Sequence, residues 1–84
     1  MATFLDYHAQ LPQLPPEAAQ QMAARIQAGQ PDQFGVRPLN VFLGADGSGH
    51  CLVDAPDAEA VVKAHNALGF DLHHGDVREV TAIV

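Results

Sequence analysis

The sequence predicts an α+β domain on one antiparallel sheet, and three features carry that prediction. Runs of strand character lie near both ends, two helical stripes each close on a glycine, and an Asp-Gly pair separates two apolar runs. At Phe4-Leu5-Asp6-Tyr7-His8, Leu5 and Tyr7 point one way while Phe4, Asp6 and His8 point the other, the period of a first strand. Leu11 to Pro16 holds three prolines and cannot be helix interior, but Pro15-Pro16 suits a first helical turn. From Ala19, the apolar residues Met22, Ala23 and Ile26 recur at helical spacing, and Gly29 is a natural stop.

Val36 to Leu43 is rich in β-formers, and its Pro38 fits a sheet edge, where the missing N–H donor is not needed. Gly44-Ala45-Asp46-Gly47-Ser48-Gly49 then reads as a hairpin turn, with a third strand over His50 to Asp54. Pro56 opens a second helix with Asp57 and Glu59 at its positive end and a Glu59–Lys63 pair on its wet face. Its dry stripe is Ala58, Val61, Val62, His65 and Leu68, and Gly69 ends it. Phe70 to Asp76 is a connection, and Val77 to Val84 is a last strand. The order β-α-β-β-α-β is the ferredoxin-like split pattern, which predicts sheet order 4-1-3-2 with both helices on one face.

Composition bounds the function. The 84 residues carry four Lys plus Arg against ten Asp plus Glu, a formal net charge of −6. That length supports one domain, 1–84, and the scarcity of cations argues against nucleic acid and anionic membranes. One cysteine makes no internal disulfide, and no leader or long apolar run is evident, so a reduced cytoplasmic setting is expected. The uncovered sheet face leaves apolar surface wet, so a homodimer through that face, a dimeric α/β barrel, is the expected partner.

Five histidines beside a single lysine stand out, because neutral imidazole is both a metal ligand and a proton carrier. The topology brings all five to one rim: His8 ends strand one, His50 begins strand three, His65 lies in the last turn of helix two, and His73-His74 fill the loop. These imidazoles, with Asp6, Asp71 and Asp76 as oxygen donors, suit nickel, zinc or copper. With Leu5, Tyr7, Cys51 and Val53 set against the helices, Asp6, His8, His50 and Asp54 face the open side. The expected ligand grouping is then His8 with His50, joined by the His73-His74 loop, and His65 approaches from the helix side. A histidine on an apolar helical stripe is more often a hydrogen-bonded packing residue, and Cys51 reads as a small core residue that becomes a soft ligand if the rim is open.

Other chemistry fits poorly. The glycine-rich turn has no following Lys and opens no helix, so it is no phosphate cradle, and Ser48 at a hairpin tip has no oriented base. No catalytic residue is assigned and a non-enzymatic role is preferred. The competing reading is a cofactor-free dimeric barrel that binds or transforms a small molecule with a cavity histidine.

Phe4-Leu5-Asp6-Tyr7-His8, Gly35-Val36-Arg37, the block from Cys51 to Val61, His65 and Val77-Arg78-Glu79-Val80 together resemble domain of unknown function family 4242 over nearly the whole chain. The resemblance implies a ferredoxin-like dimeric α/β barrel and nickel binding, and it carries family histidines onto His8 and His65. Leu39 and Leu68 stand where the family pattern has histidines, and His50 where it has an aromatic residue; His73 and His74 have no obvious counterpart. The expected metal ligands are therefore drawn from Asp6, His8, His50, His65, His73 and His74, with nickel first and zinc or copper behind it.

Overall fold

The computed structural model describes residues 1–11 and 14–83, and in it the chain forms β1 (Ala2–His8), α1 (Pro16–Ala28), β2 (Arg37–Leu43), β3 (Gly49–Ala55), α2 (Ala58–Ala67) and β4 (Val77–Val80). The sheet order is β2-β3-β1-β4 and every pairing is antiparallel, as the ferredoxin-like pattern requires. Pro38 lies on the edge strand β2, beside a bulge between Pro38 and Asn40.

The local signals act as expected at most ends. Pro15 is the N-cap of α1 and Pro16 its first residue, while Gly29 takes a left-handed φ of 67° and donates its N–H to the Arg25 carbonyl. Asp57, one residue after Pro56, caps α2 by accepting from the Ala60 N–H at 2.8 Å. In the β2–β3 turn, Asp46 Oδ1 accepts from the Ser48 N–H and hydroxyl at 3.0 and 2.6 Å, and Gly47 supplies φ +87°.

Three expectations about the elements need correction. β4 ends at Val80, not Val84, because its ladder with β1 stops at the Thr3–Val80 pair, next to the start of β1; Val84 itself lies outside the described residues. Leu68 is 61% exposed, since α2 ends at Ala67 and Leu68 has left the helical stripe. Ala23 is exposed as well, so α1 packs through half-buried Ala18, Met22 and Ile26 and buries no residue fully.

The core lies on the helix side. Phe4, Val53, Ala55 and Val77 of the sheet meet Ala60, Val61, Val62 and Ala64 of α2, with Val36 and Leu72 from the flanking loops. This overturns the expected facing of the first strand. The register sets Phe4 opposite Val53 and Asp6 opposite Cys51, and residues directly opposite one another share a face. Phe4, Asp6 and His8 therefore point into the core, whereas Leu5 and Tyr7 join His50, Leu52 and Asp54 on the open face. None of the described helices is long and apolar enough to cross a membrane.

Candidate metal centre

Asp6 and His8 are two residues apart on β1, so the pleat aims both at the helices. Cys51 stands opposite Asp6 on the neighbouring strand, and His65 comes down from the last turn of α2. One ligand atom from each of Asp6, His8, Cys51 and His65 falls within 4.8 Å of the others. His8 Nε2 is 2.7 Å from Asp6 Oδ1 and 3.9 Å from Cys51 Sγ, and His65 Nε2 is 3.4 Å from Asp6 Oδ2.

The centre is nearly dry. Asp6 is wholly buried, and the His8 and His65 side chains are 6% and 12% exposed. An ionised carboxylate in such a place is costly unless it is hydrogen-bonded or paired with a cation. Among the described residues neither Asp6 oxygen receives a hydrogen bond of acceptable angle, despite the short approach of His8.

His65 sharpens the point. Its Nδ1 lies 2.8 Å from the Val61 carbonyl, one helical turn back. A carbonyl only accepts, so Nδ1 carries a proton, and the ring in its neutral form presents the Nε2 lone pair to Asp6. Two acceptors then face each other in a buried site, and a proton or a metal cation between them removes the repulsion. The backbone bond to Nδ1 also orients the ring, as the outer partners of metal-bound histidines do.

Burial, then the negative charge of Asp6 and the approach of the thiol to its carboxylate, push the Cys51 thiol up to about 12, so without a cation the sulfur stays protonated near neutrality. A bound metal reverses that preference, because a coordinating thiol gives up its proton. The four donors are two imidazole nitrogens, a carboxylate oxygen and a sulfur. Such a mixture suits zinc, copper, nickel or cobalt and not calcium or magnesium, which take oxygen ligands.

The remaining candidates lie elsewhere. His50 is on the open face, its ring 5.1 Å from that of Tyr7, so the expected grouping of His8 with His50 is corrected: the sheet separates them. His73 is exposed, 3.3 Å from exposed Asp71, and His74 opens the exposed turn before β4. Cys51 is half-buried and packs against the core, as its small-core reading had it, yet its sulfur also belongs to the cluster. The signal that reveals it is the Asp6–Cys51 pairing, which needs the register of β1 on β3.

Comparison with known proteins adds the fold. No family model matches the chain, and no curated protein does. The chain is similar to the crystal structure of SCO4226 from Streptomyces coelicolor A3(2), with a TM-score of 0.72 and 24% identity over 99% of this chain and all of that one. At that identity the likeness speaks for the ferredoxin-like arrangement alone.

Proposed function

We propose that this protein binds one divalent transition-metal ion through Asp6, His8, Cys51 and His65, for storage, sensing or sequestration. The observation that carries the reading is Asp6: a fully buried carboxylate ringed by three further donor side chains within 4.8 Å. A tetrahedral site with bonds of about 2.0–2.3 Å sets its ligand atoms roughly 3.3–3.8 Å apart, so a shift of about 1 Å in the farthest pair is enough. Nickel is the first choice, in keeping with the resemblance to domain of unknown function family 4242, and zinc and copper are its competitors. A reducing cytoplasm would keep Cys51 available as the sulfur ligand.

The test is elemental analysis and a nickel, zinc and copper titration on protein purified without a histidine tag. Near-stoichiometric binding is expected, weakened in His8→Ala by more than the roughly 10–100-fold that loss of an outer-shell partner costs. Affinity should also fall below about pH 6, because protonated imidazole cannot ligate. Binding no tighter than that of free histidine, or an affinity indifferent to pH, defeats the reading.

A further inference from the structure

Two cavities are lined by residues of the four-donor cluster. One, of about 440 Å³, lies between the end of β1 and the turn after α2, walled by Tyr7, His8, Gln10, Phe70, Asp71 and Asp76 among others. Of the four donor residues it touches only His8. The other, of about 50 Å³, touches Cys51 and His65 and presents mostly apolar surface, although Arg25 and Asp32 also line it.

Size and lining decide which one a cation can use. A water occupies about 30 Å³, so the smaller cavity holds one or two, whereas a divalent ion with about six waters needs on the order of 180 Å³. The larger cavity has that room, and the carboxylates of Asp71 and Asp76 in its walls favour a cation that is shedding water.

Phe70 lines this cavity together with His8 and packs against the rings of both histidine donors. Its ring centroid is 5.9 Å from that of His8 and 6.3 Å from that of His65, and the two imidazoles are 5.2 Å apart, so the three rings close a triangle. The strap that carries it is tied on both sides. The Phe70 N–H donates to the His65 carbonyl at 3.0 Å, and the Leu72 N–H donates to Asn66 Oδ1 at 3.2 Å while the Leu72 side chain is buried in the core. Gly69, with φ +90°, gives the strap a residue that tolerates a change of backbone angle.

We propose that the metal enters and leaves through the cavity beside His8, and that Phe70 is the movable wall it must pass to reach Asp6, Cys51 and His65. This rests on the metal reading above. The experiment is stopped-flow mixing of metal-free protein with Co(II), following its visible absorption, and release into excess chelator, for wild type, Phe70→Ala and Phe70→Trp. Phe70→Ala should speed uptake and release together by about tenfold while affinity changes far less, and Phe70→Trp should slow both. A loosened fold would speed release alone, so faster release without faster uptake overturns the door. Rates indifferent to residue 70 overturn it too while leaving the metal site standing, whereas a wild type that takes up no cobalt removes the site itself.

Discussion

Asp6 has no exposed surface and no hydrogen bond among the described residues, and the neutral form of His65 turns a lone pair toward it. A buried carboxylate whose partners do not satisfy it is expected to lower the stability of the metal-free fold, in the way that binding sites often do. Asp6→Asn removes the charge and offers an N–H to the His65 lone pair. In chelator this variant should melt higher than wild type, by several degrees for the roughly 1–2 kcal/mol at stake in a domain of this size, while losing metal affinity. A lower melting temperature in chelator would mean that the fold already satisfies Asp6 with a protonated histidine. At this scale the sequence is partly legible: Asp6, His8 and His65 are recognisable as candidate donors by the chemistry of their side chains. Cys51 looks like any small apolar residue until its cross-strand partner is known.

At the scale of elements, the strands are tied on the open face by a polar row running across the sheet. Arg37 on β2 donates to Asp54 on β3 at 2.6 Å, and the Thr3 hydroxyl on β1 donates to the other Asp54 oxygen at 2.7 Å. The Arg37 bond first, and then that of Thr3, hold the Asp54 carboxyl below its ordinary value. A folded-state pKa lowered in this way contributes stability above about pH 4, where the unfolded carboxylate is ionised, and that stability is lost as pH falls through the folded value. Arg37→Ala should therefore lower the urea midpoint at pH 6 by about a few tenths of a molar, with the difference from wild type closing near pH 2. A gap as wide at pH 2 as at pH 6 would show that Arg37 acts through packing instead. Caps and turns were readable in this part of the chain because they depend on neighbours within four residues. The end of β4 was not, because it depends on where β1 begins.

For the whole molecule, the decisive feature is a sheet with one face covered by helices and the other bearing Phe42, His50, Tyr7, Leu52 and Leu5. Phe42 and Tyr7 are 49% and 43% exposed, and a domain of 84 residues has little buried surface to spare. We infer that a second copy covers this face. Light scattering should return twice the chain mass of 8.9 kDa, and Tyr7→Asp should halve it without disturbing the Asp6–His8–Cys51–His65 cluster on the opposite face. A monomeric wild type at micromolar concentration would rule this arrangement out.

The sequence by itself determined the number, kind and order of the elements, because periodicity, proline and glycine placement and helix caps are local. It also determined the chemistry on offer, with histidines far outnumbering lysines. Only the tertiary structure decided which donors meet. Alternation assigns residues to two faces of a strand but does not say which face is dry, and one choice fixes every side chain on it. The pairing of Asp6 with Cys51 turned Asp6 and His8 toward His65 and away from His50. The carboxylate that local pattern had placed on the open side thus became the buried centre of the site.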